Sequence, residues 1–351
     1  MFYLIYLLEI LTRRDNVSAT IKDVAKMAEV SISTVSRVIN DSKPVSPEAR
    51  RRVLKAIEEL GYKPNEIARS LVTKKSNLIG VIVDDIGNSY VAQIVRGIEE
   101  IGRMYKYDIV LCSSYGSEET ELRFIQLLMQ KQVEGIIMVS EIVNIQISEQ
   151  INKLNIPFVY LNRFYNVIET PTVAIDNEVA SNLMVEHLRD LGHKNILYIS
   201  QNKDIDLTIE KYKIKGYTDS VKNMGSEPFI YSINGYKMES GYNAGNEILE
   251  IIRKNKITSV FCCQDEIAIG LINYFYDSNI KVPDEISVVG FGDISLASIY
   301  RPKLTTIKEP YYDLGAVATM RILKELKGEV VDAQTLKLPV QLMIRESAKK
   351  I

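Results

Sequence analysis

The stretch TIKDVAKMAEVSISTVSRVIN, residues 20–40, sets the organisation of the chain. Thr20 with Asp23 three residues on is a capping-box-like start. Val24, Ala25 and Ala28 then recur at helical spacing, so a short helix is expected to about Ala28. Ser31 is a good N-cap for a second helix. Along that helix Val35, Val38 and Ile39 share one face, while Ser33 and Arg37 share another. Two helices about three residues apart, the second exposing small polar groups and an arginine, describe a helix-turn-helix with its recognition helix. The spacing alone fits a generic helical hairpin equally well.

Moving towards the C-terminus, NDSKPVSPEA (40–49) is a turn-rich break. Ser46 as N-cap and Pro47 at the first helical position start a third helix. Its apolar stripe is Ala49, Val53, Ala56, Ile57 and Leu60, and Gly61 ends it. Arg50, Arg51 and Arg52 stand near its start, either reaching phosphates or forming a solvated face. YKPNEIARSLVTKKSN (62–77) follows as a polar connector, with Asn65 placed to cap a short helix to about Val72. A helix of that length is marginal alone in water, which makes the connector a candidate hinge with Leu71 as its largest apolar side chain. Residues 20–75 carry 12 Lys/Arg against 7 Asp/Glu, whereas the whole chain has a formal charge of −2. A basic head on an acidic body suits a polyanion-binding module.

From Leu78 the pattern becomes strand–helix alternation. LIGVIVDDI (78–86), YDIVLCSS (107–114), EGIIMVS (134–140) and PFVYLN (157–162) are short, apolar and rich in β-branched residues. The pattern resumes with KNILYIS (194–200), SVFCC (259–263) and ISVVGF (286–291). Repeated βα units imply parallel sheets covered by helices. Two runs divided near VAIDN (173–177) suggest two α/β lobes with a cleft, where ligands meet the carboxyl ends of strands.

At 351 residues the chain has room for two or three domains, and 46% hydrophobic with 25% charged residues is ordinary for a soluble globular protein. Cys112, Cys262 and Cys263 offer neither metal spacing nor a disulfide framework, and they suit a reducing cytoplasm. MFYLIYLLEIL (1–11) is too short to span a bilayer, contains Glu9 and lacks signal-peptide features. It is read as an upstream start or a loosely ordered extension. There is no Walker-type loop, no GxGxxG after a strand and no HExxH, and His187 and His193 lack a nucleophile in a recognisable motif. The expectation is a protein that is not an enzyme and needs no cofactor or metal.

TIKDVAKMAEVSISTVSRVIN, the connector motif NEIARSL (65–71), VPDEISVVGFGD (282–293) and RPKLTTI (301–307) together resemble the LacI/GalR family of transcriptional regulators, from Thr20 to about Ser347. The resemblance implies a homodimer reading a pseudo-palindromic stretch of double-stranded operator DNA, one recognition helix per half-site. By position, Ile32, Ser33 and Arg37 would read bases, with Thr34 and Ser36 nearer the backbone. Thr20, Ser31, Asn40, Asn65, Ala68 and Arg69 would be further DNA contacts. Leu71 would wedge between base pairs from the minor groove. The implied effector contacts are Asp85, Tyr90, Asn162 or Arg163, Lys213, Tyr236, Asp265 and the Gly292–Asp293 pair. Many sugar- or purine-responsive members carry arginine at the position of Lys213 and aspartate at that of Gly292, so the ordinary pocket is altered here.

RGIEEIGRMYKYDIVL (96–111), KQVEGIIMVS (131–140), YDLGAVA (312–318) and Lys213 in YKIKGY (212–217) resemble a branch of that family controlled by a serine-phosphorylated phosphocarrier protein, HPr. Residues resembling that docking surface are Glu100, Tyr105, Tyr312, Asp313 and Lys324, with Arg321 as a further candidate to meet the phosphate. The arginine expected eight residues after Tyr312 is replaced by Met320, with Arg321 one place on. That shift turns the side chain by about 100°.

The expected fold is therefore α/β: an N-terminal helix-turn-helix three-helix headpiece plus a two-lobed, periplasmic-binding-protein-like (type I) α/β core. The expected divisions are an extension at 1–19, a DNA-binding domain at 20–62, a hinge at 63–77 and a dimerising core at 78–351. Within the core, 78–176 and 307–328 would form one lobe and 177–306 and 329–347 the other, with crossings near Asp176, Thr306 and Gly328. The expected function is sequence-specific repression of carbohydrate-metabolism genes in the cytoplasm, away from any membrane, under a sugar, a sugar phosphate or phosphorylated HPr. A sugar-binding transport receptor with the same lobes is the remote alternative.

Overall fold

The computed structural model describes residues 19–41, 43–62, 75–139, 147, 150, 153, 156–161, 171–201, 209–330 and 335–351. The chain divides into two compact units, Met1–Ser76 and Asn77–Ile351.

The first unit holds α1 (Ile21–Met27), α2 (Ile32–Asn40) and α3 (Pro47–Leu60). The Thr20 amide and hydroxyl both donate to the Asp23 carboxylate, at 2.8 and 2.7 Å, which draws that carboxyl below its usual range. Ser31 and Ser46 accept the Thr34 and Ala49 amides, and Gly61 closes α3 at φ +58. Val24, Ala28, Val35, Val38, Val53 and Ala56 form one buried cluster, with Ile39, Ile57 and Leu60 packed against it. Arg50 pairs with Asp41 at 2.7 Å and Arg52 reaches Glu29 at 3.8 Å, so these two arginines brace the turns on either side of α2.

In the second unit, the first sheet contains β1 (Leu78–Val83), β2 (Asp108–Ser113), β3 (Gly135–Val139), β4 (Phe158–Leu161), β5 (Thr172–Ile175) and β11 (Leu336–Leu338). Its order is β11-β5-β4-β3-β1-β2 and every pairing is parallel. The helices α4 (Ser89–Met104), α5 (Glu118–Gln130) and α12 (Tyr311–Leu326) supply apolar residues to its two core clusters.

The second sheet contains β6 (Ile196–Gln201), β7 (Phe229–Ile233), β8 (Ser259–Cys262), β9 (Ser287–Gly292), β10 (Thr305–Lys308) and β12 (Gln341–Met343), ordered β12-β10-β9-β8-β6-β7. Only β12, an edge strand, runs antiparallel to its neighbour. Around this sheet stand α6 (Asn177–Asp190), α7 (Glu210–Asn223), α8 (Met238–Asn243), α9 (Gly245–Asn255), α10 (Asp265–Asp277) and α11 (Ser295–Ile299). All of these except α8 share one large core with the sheet, which includes Met184, Tyr217, Ile248 and Phe275. All three cysteines are free and buried.

The chain passes between the sheets three times. The first passage is at Asp176, which caps α6 and receives Lys337 Nζ at 2.7 Å. The second follows β10 at Glu309–Pro310, three residues beyond the expected Thr306. The third differs more from expectation. After Gly328 the chain first adds β11 to the first sheet, so it crosses at Pro339–Val340 instead of near Gly328. A three-residue strand of leucines around one lysine is too short to announce itself by periodicity.

Helices α4 and α12 lie so close that a Cβ on Gly97 would overlap the Tyr312 carbonyl, and one on Gly315 the Ile94 carbonyl. Backbone cannot yield as a side-chain end does. Gly315→Val should therefore cost about 1–3 kcal/mol in urea unfolding. Wild-type stability in that variant would mean the two helices can part freely.

Candidate functional site

Two sets of residues carry chemistry, one in each unit. In the first, burial of Val35 and Val38 fixes the rotation of α2, leaving Ile32, Ser33 and Arg37 exposed and Thr34 and Ser36 half-buried. Ser31 Oγ lies 2.7 Å from Ser33 Oγ and 2.8 Å from Thr34 Oγ1, so the N-terminus of α2 presents a cluster of hydroxyls. Asn40 ends α2. The expected contacts Asn65, Ala68, Arg69 and Leu71 lie outside the described residues.

In the second unit a cavity opens at the carboxyl ends of the strands, lined from the first lobe by Ser89, Tyr90, Val139, Leu161 and Tyr311. From the second lobe come Ile209, Lys213, Gln264, Asp265, Glu266, Phe291 and Ile294, with Glu309 from the second passage. Three expected contacts, Tyr90, Lys213 and Asp265, therefore share one wall system. Asp85 instead receives the Gly87 amide at 2.8 Å, and Tyr236 lies in the turn before α8; neither lines the cavity. Asn162 and Arg163 lie outside the described residues.

Asp293 is directed elsewhere. Its carboxylate pairs with Arg345 at 2.6 Å, and Arg345 also donates to the Leu304 carbonyl. Gly292 at φ +130 and Asp293 at φ +56 turn the chain sharply between β9 and α11. That backbone suits glycine and would strain an aspartate at position 292. Lys213 is only 3% exposed; its ammonium donates to the Cys263 carbonyl at 3.1 Å and lies 3.8 Å from the centre of the Phe291 ring. Tyr311 donates to Glu309 at 2.8 Å and packs 5.4 Å from Tyr90. Ser89 donates to Glu266 across the cleft at a long 3.4 Å. Sequence reading missed Glu266, Glu309, Tyr311 and Phe291. Each stands at a strand end or in the first turn of a helix, and that position was their one available signal.

On the first lobe, Glu100 accepts from Arg96 and Tyr312, both at 2.8 Å, and its carboxyl is held below the usual range. Tyr105 has Lys327 over its ring at 5.0 Å, and Asp313 and Lys324 are exposed. Arg321 does not join this surface. It is buried, on the helix stripe that carries Leu314 and Ala318, and it donates to the Thr172 carbonyl.

Asp265 is fully buried; burial pushes its carboxyl up to about 7, against the opposing pull of Thr306 Oγ1 at 2.5 Å and the Ile294 amide at 2.9 Å. Between about pH 4 and 7 the folded protein holds this proton and the unfolded chain has lost it, so this group's contribution to stability falls as pH rises. Asp265→Asn lacks that slope. Relative to wild type it should gain about 1–3 kcal/mol between pH 5 and 7 in urea unfolding. A constant difference across that window would refute the raised carboxyl.

Among the described residues no helix is long and apolar enough to cross a membrane, and no group of three His, Cys, Asp or Glu could hold a metal ion. Residues 20–65 match the lacI family of bacterial regulatory proteins, and residues 185–348 match the periplasmic binding protein-like domain. The chain is 38% identical over 334 residues to catabolite control protein A of Priestia megaterium, covering 95% of this chain and 100% of that one. It is 34% identical to the ribose operon repressor of Halalkalibacterium halodurans, covering 94% and 97%. Among solved structures, a lac repressor dimer bound to operator and the anti-inducer ONPF superposes with a TM-score of 0.86 at 27% identity, covering 94% of this chain and 99% of that one. A recognition helix held on a three-helix head, a two-sheet core and these full-length likenesses agree: this chain belongs to the LacI family of bacterial DNA-binding transcription regulators.

Proposed function

We propose that the protein is a cytoplasmic homodimer that represses carbohydrate-metabolism genes by gripping a pseudo-palindromic operator, with residues 20–62 as the head and 63–77 as the hinge. The observation that carries this reading is α2, anchored by Val35 and Val38 and presenting Ile32, Ser33 and Arg37 outward. The dimer is supported by the operator-bound lac repressor dimer, which the chain follows over 94% of its length. Leu71 acts in this reading as the minor-groove wedge. The core works as a sensor and not as an enzyme, and full-length regulators among its relatives support that role.

The effector sits in the cleft beside Tyr90, Lys213 and Asp265. It changes operator affinity only as far as it binds two lobe arrangements differently. Sugars are favoured because the relatives include a ribose operon repressor and a catabolite control protein A. Control by serine-phosphorylated HPr is the second reading, supported by the exposed Glu100–Tyr312 pair. Burial of Arg321 takes away a cation expected to meet the phosphate. A transport receptor does not account for the basic head.

The test is operator affinity measured with sugars, sugar phosphates and phosphorylated HPr in turn; a change with none of them would refute effector control of this kind. Arg37→Ala should relax preference at one base pair by about 1–3 kcal/mol, as loss of a bidentate guanine contact does. Equal weakening on every sequence would make Arg37 a phosphate contact instead.

A further inference from the structure

The hydroxyl cluster at the start of α2 has a fixed hydrogen-bond arithmetic. A serine hydroxyl offers one proton and two lone pairs. Ser31 Oγ spends one lone pair on the Thr34 amide, at 3.1 Å. One proton and one lone pair remain, and two hydroxyls stand within reach, Ser33 at 2.7 Å and Thr34 at 2.8 Å. One of these neighbours must therefore donate to Ser31 while the other accepts from it. The donor turns only lone pairs outward, and the acceptor keeps a proton for the outside. Ser33 is exposed on the same helix as Ile32 and Arg37. Its hydroxyl is thus held in direction, and paired in polarity with Thr34, by a residue whose ordinary duty is to cap the helix.

We infer that Ser31 is a positioning residue for base recognition: it fixes the Ser33 hydroxyl so that Ser33 discriminates at one base pair of the operator. This rests on the DNA-binding reading above and deepens it. Serine can serve either donor or acceptor base edges when it is free to rotate; tethered to Ser31, its hydroxyl is held in direction and its choice of donor or acceptor is coupled to that of Thr34.

The experiment selects from a randomised duplex pool with the full-length protein and its Ser31→Gly, Ser31→Thr and Ser33→Ala variants, and compares base preferences and salt dependence. Glycine is a tolerable N-cap, costing only a few tenths of a kcal/mol, so Ser31→Gly removes the tether and leaves α2 folded. Ser31→Gly and Ser33→Ala should relax preference at the same base pair by about 2- to 10-fold, the worth of one hydrogen bond. Combining them should add nothing, Ser31→Thr should keep the wild-type profile, and the salt dependence should not change. A wild-type profile in Ser31→Gly or in Ser33→Ala would overturn the inference. So would weakening of Ser31→Gly that is even across sequences with a shallower salt dependence, because Ser31 would then touch phosphate itself. Failure of the wild-type protein to enrich any sequence would instead overturn the DNA-binding reading, before any variant is compared.

Discussion

Burial of Val24, Val35 and Val53 in one cluster turns a nine-residue helix into a reading head. A helix of that length is marginal alone, and its rotation would be undefined. Anchoring Val35 and Val38 leaves one face for solvent, which holds Ile32, Ser33 and Arg37. The same helix directs its N-terminal amides, and the positive end of its dipole, towards the side where its hydroxyls cluster. A phosphate would be favoured there. Outside the apolar cluster, the pairs Arg50–Asp41 and Arg52–Glu29 add little energy at such exposure. They join α3 to the turns that flank α2.

In the core, the wall between β9 and α11 is held by two acids with different duties. Asp265 receives the Ile294 amide and Thr306, so it ties α10, the turn and β10 together. Asp293 is held by Arg345 from the segment after β12. The cleft is thus lined by groups already engaged within the protein: Lys213 with a carbonyl and an aromatic face, Tyr311 with Glu309, Asp265 with an amide. On the proposed effector reading, a ligand there would compete with these bonds or complete them, and that competition would be the physical source of any difference between lobe arrangements.

Much of this was legible in the chain itself. Ser31, Ser46, Pro47 and Gly61 mark the helix ends of the head because capping is a local matter, decided by residues three or four apart. Strands such as β1 and β9 are apolar runs buried on both faces, and they stand out for that reason. What escaped notice was set by distant contacts. The strand β11 exists through its pairing with β5, and no residue within it signals this. Arg321 reads as a surface cation until the phase of α12 turns it inward with Leu314 and Ala318. Asp293 is held by Arg345, fifty-two positions away, and nothing near it in the sequence announces that partner.

On the proposed reading, a dimer of this chain recognises duplex sequence through its small basic head. Sedimentation of the purified protein with the duplex it enriches, and with random duplex of equal length, measures this most directly. Two chains per enriched duplex are expected, with affinity at least about 10³-fold above that for random duplex at physiological salt. One chain per duplex, or equal affinity for both, would contradict the account.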